Sequence, residues 1–388
     1  MRTPHVLPFS IALGATASLL LPPAAARAGV WNATPELALS GEYASNPQLL
    51  LSQPEQGSAA VLNVGLPTAW NDGARQFELA PRARLAASNG TSPIGKDAYY
   101  LAGSARSDGE RGSISVNGRW ADDSTALLEP TTGTLTRLDV ARRQVDAGLD
   151  WKRALTERVQ SDLNVGWQAV DYAEVPNSGL LDYRYLPASA TVQADVNPRT
   201  QAMLLLSAAK YESATTGVRQ DSQSVQVGIA RQWTEKWNYS LLIGRSRVTA
   251  PGLSDQSLGA VYAANIGWHG LTSSITASVT QANQPSGFGT LALTREAILR
   301  TDVRYSERLS GYLALRAVAE RDSFNANTFE SRSYASAYAG AVWAASPVWD
   351  VSVAVNWQQQ RYKSSDQTGS SVGAIVAAAR KFGRIRLT

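Results

Sequence analysis

Residues 349–358 read Trp-Asp-Val-Ser-Val-Ala-Val-Asn-Trp-Gln. Trp349, Val351, Val353, Val355 and Trp357 fall on one parity, and Asp350, Ser352, Ala354, Asn356 and Gln358 on the other. Residues i and i+2 share a face of a β-strand, so this segment is a strand with one apolar and one polar face. The same period of two runs backward through the chain. Leu271, Ser273, Ile275, Ala277 and Val279 alternate with Thr272, Ser274, Thr276, Ser278 and Thr280, and Ile114, Val116, Gly118 and Trp120 alternate with Ser113, Ser115, Asn117 and Arg119. A soluble sandwich would complete itself in about seven to nine such strands. Here the pattern begins near Trp31 and continues to the end of the chain, with no helical segment and no linker.

The connections discriminate further. Short ones, rich in turn formers, occur at Asn71-Asp72-Gly73, Asp108-Gly109, 155–159, Asn197-Pro198-Arg199, 233–237, Trp268-His269-Gly270, 305–309 and Ser346-Pro347. Longer, more polar ones fall near 44–58, 88–97, 122–138, 172–182, 212–221, 249–255, 282–289, 323–330 and 363–369. The two kinds alternate strictly, which predicts a single up-and-down antiparallel β-barrel of about 18 strands (16–18), with short periplasmic turns and longer extracellular loops. The tryptophans agree. Trp31, Trp70, Trp151, Trp233, Trp237, Trp268, Trp343 and Trp349 fall near one end of the strands, Trp120, Trp167 and Trp357 near the other. Indole rings prefer the headgroup region, so two such belts imply a membrane between them.

The first 28 residues read differently. Met1-Arg2 is basic, Val6 to Leu21 is almost wholly apolar, and Ala26-Arg27-Ala28 follows Pro22-Pro23. That is the order of a cleaved secretory signal peptide, so residues 29–388 are expected to be the mature barrel. Removing Arg2 and Arg27 lowers the net charge from +4 to +2, too little for a nucleic-acid partner.

Three short turns share a pattern: Thr156-Glu157-Arg158, Thr234-Glu235-Lys236 and Ser306-Glu307-Arg308. At these residues, and in its amphipathic strands, the mature chain resembles bacterial outer-membrane β-barrel proteins. More loosely it is similar to the β-barrel porins associated with exopolysaccharide export. The resemblance implies an outer-membrane location in a Gram-negative envelope, lipid and lipopolysaccharide as surroundings, and a periplasmic polysaccharide-export apparatus as partner. Such barrels often end on an aromatic residue; here Phe382 shares parity with Val372, Ala374, Val376 and Ala378, with a short tail beyond it.

Little points to catalysis. The chain has no cysteine and only two histidines, His5 in the leader and His269 in a short turn. A serine or aspartate mechanism normally needs a histidine base, and His269 sits at the periplasmic end. Gly369-Ser370-Ser371-Val372-Gly373 fits a nucleophile elbow, yet a strand follows where a helix is required. Gly287-Phe288-Gly289 reads as a flexible loop tip. Asp122 with Asp123, and Asp139 with Asp146, lack the spacing of a calcium loop. No catalytic residue, cofactor or metal is therefore assigned, and the chain is not expected to be an enzyme.

The polar parity carries the functional expectation. Its candidate lining residues are Arg82, Arg84, Arg119, Asp146, Asp150, Asp162, Gln168, Arg300, Asp302, Arg304, Asn356 and Gln358. Inward charges of both signs, with amides and hydroxyls, imply water inside a barrel wide enough to conduct. The expectation is a porin-like channel or a conduit for sugar chains. The alternative is a plugged or structural barrel in which the same groups bond to one another. Residues 202–211 and 334–343 are too alanine-rich for the faces to be told apart.

Overall fold

The computed structural model describes residues 29–51, 53–90, 94, 96–125, 140–173, 179–251, 257–322, 332–362, 367–383 and 385–387. The expected signal peptide, Asp139 and most of the 122–138 connection lie outside the described residues. The strands are β1 (Val30–Ala33), β2 (Glu36–Ala44), β3 (Gly57–Gly65), β4 (Thr68–Asn71), β5 (Arg75–Gly90), β6 (Ala98–Gly109) and β7 (Gly112–Ser124). There follow β8 (Ala141–Ala154), β9 (Val159–Tyr172), β10 (Tyr183–Asn197), β11 (Thr200–Ser213), β12 (Arg219–Gln232), β13 (Trp237–Thr249) and β14 (Ser257–His269). The last are β15 (Ser273–Pro285), β16 (Leu291–Arg304), β17 (Leu309–Asp322), β18 (Arg332–Ser346), β19 (Trp349–Tyr362), β20 (Gln367–Lys381) and β21 (Ile385–Leu387).

β2, β3 and β5 to β20 form a closed antiparallel barrel of 18 strands. It closes where β20 pairs with β2, from Glu36↔Lys381 to Ala44↔Gly373. At the periplasmic rim, Thr34-Pro35 interrupts the first strand and Leu66-Pro67 the second. A proline cannot donate to the ladder, so both strands jog there, and β1 and β4 resume pairing with each other. Beyond Phe382, residues 385–387 form β21, which pairs with β1 and sets Leu387 opposite Trp31. A separate short strand therefore follows the aromatic that the sequence suggests as the end.

The short turns owe their likeness to one device. The Thr156 hydroxyl accepts from the backbone N–H of Arg158 (3.2 Å) and Val159 (3.1 Å). Thr234 does the same for Lys236 and Trp237, Ser306 for Arg308 and Leu309, and Ser346 for Val348 and Trp349. A side-chain oxygen at the first turn position thus satisfies donors that the ladder leaves over. At Asp72-Gly73 the glycine takes φ = 94°, a conformation that a side chain resists.

Cross-strand register fixes the two faces around the whole circle. The outward face carries Leu37 and Leu39, Trp151 and Leu149, Val225 and Val227, and Val353 and Val355, all exposed. Trp237 lies against Trp268 on this face (6.3 Å between centroids), and Trp31 against Trp70 (6.4 Å). The register also resolves the alanine-rich strands. Leu204 and Leu206 point outward, and Met203, Leu205, Ser207 and Tyr211 inward; Tyr334, Ser336 and Tyr338 point inward, with alanines outside.

Candidate functional site: the inner wall

Every lining candidate lies on the inward face. Arg82 and Arg84 project from β5, Arg119 from β7, Asp146 and Asp150 from β8, and Asp162 and Gln168 from β9. Arg300, Asp302 and Arg304 project from β16, and Asn356 and Gln358 from β19. Neighbouring strands bring some of them together. Asp146 accepts from Gln168 Nε2 (2.9 Å) and Gln144 Nε2 (2.8 Å). Asp150 accepts from Asn117 Nδ2 (3.1 Å) and from Asn164 Nδ2. Arg300 and Asp302, two apart on one strand, pair at 2.9 and 3.0 Å. Gln358 donates to the Tyr338 hydroxyl. The Arg119 guanidinium lies over the Tyr100 ring, 5.9 Å from its centroid.

Several partners were not evident in the sequence. Arg84 makes a two-pronged pair with Glu42 of β2 (3.0 and 2.9 Å), and Arg82 lies 3.3 Å from Glu36. Arg142 grips Asp123 with two bonds of 2.9 Å, and these side chains are only 2% and 4% exposed. Arg316 pairs with Glu296. An adjacent-strand parity count could have nominated Arg142 with Asp123, which are direct cross-strand partners. Glu42 and Arg84 reach across β3, and no local pattern announces that.

The extracellular half of the wall is packed by segments that fold inward. β15 pairs with β14 only up to Tyr262↔Gln281, although both strands continue. Beyond that point the β15–β16 hairpin leaves β14 and leans across the lumen. Asn283 donates to Ser222 of β12 (3.3 Å), the Tyr211 hydroxyl to the Ser286 carbonyl (3.1 Å), and the Leu291 N–H to Gln220 Oε1. Gln281 Nε2 caps the Ala260 carbonyl where the ladder stops. Leu291 is fully buried with Val170, Tyr183, Tyr211 and Val248. The tip expected to be a flexible loop is instead tied down. The Leu181 N–H donates to the Gly287 carbonyl (2.7 Å), and Gly289 takes φ = 87° with the Leu181 side chain where its Cβ would stand. A second inward segment follows β2. Leu49 packs on Val318 and Tyr334, and Asn46 brackets it by bonding both N–H and C=O of Leu50 while its own N–H donates to Ser371 Oγ (3.2 Å).

The periplasmic half is open by contrast. Arg82 is 58% exposed, Arg300 62% and Asp302 44%, and the wall around Arg82, Arg119, Glu36 and Lys381 encloses a cavity of about 1060 Å³. His269 pairs with Ser274 on the inward face of the lower rim. Gly369–Gly373 lies wholly within β20, with no helix after it.

A closed sheet whose outside is apolar between two tryptophan belts, and whose inside is charged, has one compatible surrounding. The chain is an 18-stranded outer-membrane barrel. No family model matches the sequence, and no curated protein matches it. The barrel is similar to the crystal structure of a BenF-like porin from Pseudomonas fluorescens Pf-5, with a TM-score of 0.51 at 9% identity over 92% of this chain and 99% of that one. Pseudomonas aeruginosa OccK5 (OpdH) gives 0.49 at 12% identity over 91% and 98%, and OpdQ of the same organism 0.48 at 10% over 92% and 99%. At such identities the likeness is one of fold.

Proposed function

We propose that the barrel is a water-filled diffusion channel, narrowed in its extracellular half by the β15–β16 hairpin and the segment around Leu49. The observation that carries this is the solvation of charge inside the periplasmic half. Arg82, Arg300 and Asp302 face inward and stay largely exposed, which an ionised group demands unless it is paired and enclosed. In a planar bilayer the purified protein is expected to conduct in steps. Replacing Arg82, Arg84, Arg119, Arg300 and Arg304 with glutamine removes fixed positive charge and is expected to move selectivity toward cations. A barrel that never conducts would be plugged or structural, and this reading would fall.

A sugar-chain conduit is a second reading, favoured by one band of the wall. Asn117 of β7 and Asn164 of β9 flank the half-buried Asp150 of β8, and Gln160 of β9 stands opposite Gln193 of β10, a strip of exchangeable donors and acceptors. Long neutral or acidic polysaccharides should then block the current transiently, whereas short sugars should pass. A conducting barrel indifferent to every polymer would be a simple porin.

A further inference from the structure

The outer wall carries a charge pattern that a channel does not use. On its outward face, toward the loops, β7 to β12 show both signs, with Asp122 beside Arg143 (3.4 Å) and Glu212 beside Arg219 (3.1 Å). From β13 to β19 the same level of that face carries Arg245, Arg247, Arg295, Arg321 and Arg361, all exposed, and among the described residues no carboxylate. Two of these arginines stand in one cross-strand row, Arg295↔Ala319, Ala319↔Ser333, Ser333↔Arg361. Three strand spacings separate them, about 14 Å. The next row toward the midplane is Ala297, Ala317, Ala335 and Gln359. Together these rows and Tyr262 line an outward groove of about 500 Å³. Arg295 is exposed, and its Nε donates to Gln281 Oε1, so the two terminal nitrogens of its guanidinium take no part in that bond.

We propose that this groove docks lipopolysaccharide of the outer leaflet: phosphates of its lipid A disaccharide lie at Arg295 and Arg361, and acyl chains lie over the alanine row. Arginine matches phosphate geometry with paired N–H donors, and alanines leave the depth an acyl chain needs. Arg361 lies beyond Trp357 on the same face of β19, which sets the charged row at headgroup height. The balanced rim of β7 to β12 neutralises itself and offers no such attraction.

The test titrates the detergent-folded barrel with purified lipid A, with dephosphorylated lipid A and with phosphatidylglycerol. The Arg295→Gln/Arg361→Gln variant is expected to lose lipid A affinity by about tenfold or more, given the strength of charge-assisted hydrogen bonds. The same variant should bind dephosphorylated lipid A no worse than the parent does. Arg295→Lys keeps the charge without the paired donors and should bind more tightly than Arg295→Gln but less tightly than the parent, and Ala317→Trp should lose the affinity by filling the groove. Arg143→Gln/Arg219→Gln on the balanced rim should change nothing. Heat-modifiable migration of each variant shows that it has folded. Channel conductance of Arg295→Gln/Arg361→Gln should be unaltered, which separates this site from the lumen. Equal affinity of parent and variant for lipid A, or equally tight binding of phosphatidylglycerol, would overturn the proposal.

Discussion

The two halves of the inner wall follow the same alternation on the same strands, yet they treat charge in opposite ways. In the extracellular half Arg142 and Asp123 are sealed from solvent, and Arg84 with Glu42 and Arg316 with Glu296 are nearly so. In the periplasmic half Arg82, Arg300 and Asp302 stand in the open. Parity decides only that a side chain points inward. What it meets there depends on whether another segment folds across the lumen, as the β15–β16 hairpin and Leu49 do above and nothing among the described residues does below. The difference is therefore one of long-range packing on a common scaffold.

The largest effect is expected where charge is most enclosed. Arg142→Ala strands a buried carboxylate at Asp123, and removing one partner of a buried pair costs about 3–5 kcal/mol. Urea unfolding of the lipid-reconstituted barrel measures it. Replacing both residues with apolar ones should recover much of that loss. If Arg142→Ala is as mild as a surface change, the upper half is wetter than its packing indicates and the contrast between the halves disappears.

Next comes the contrast between outside and inside. Val353→Arg places a cation on the lipid face near the midplane, at about 2–4 kcal/mol, whereas Ser352→Arg, one residue away, points into the lumen and should be nearly neutral. Equal penalties in the same unfolding assay would mean that the faces are reversed.

The architecture was legible because its causes are local. Period two fixes the faces, turn residues such as Thr156 and Ser306 fix the connections, and membrane depth fixes the tryptophans. Even the inward placement of Arg82 to Gln358 follows from parity alone. The contents of the lumen were not legible, because Tyr211 with Ser286, Leu291 with Gln220 and Asn46 with Ser371 are joined by closure of the barrel and by no sequence spacing. Gly287-Phe288-Gly289 shows the limit. Glycines at a hairpin tip suit a loose loop and a tightly seated one equally well, and only Leu181 across the lumen distinguishes them. The rim jog at Pro35 and Pro67 was readable in principle, since a proline inside a strand pattern marks a break.

A smaller effect should sharpen the boundary between the halves. Tyr211→Phe removes one of two bonds to the Ser286 carbonyl, which keeps the Gly289 N–H (3.3 Å), at about 0.5–1.5 kcal/mol. Since this bond helps hold the hairpin across the lumen, single-channel current should rise or become noisier. An unchanged trace would show that the hairpin does not narrow the path.

The smallest stability effect is expected at Arg300, and there the functional effect should be largest relative to it. Its pair with Asp302 is about half exposed, and such pairs contribute about 0–1 kcal/mol. Arg300→Gln should therefore leave unfolding almost untouched. It also leaves Asp302 without its neutralising partner in a water-filled passage, so the local field turns negative and cations gain. Reversal potentials under a salt gradient read this directly, and the shift should shrink as ionic strength rises, because exposed charges are screened within about 8–10 Å at physiological salt. The same substitution at Arg142 makes the opposite pairing of outcomes, a large loss of stability with little direct effect on selectivity. If Arg300→Gln destabilises the barrel strongly and leaves selectivity alone, the lower half is as closed as the upper, and the distinction between a solvated and a packed wall fails.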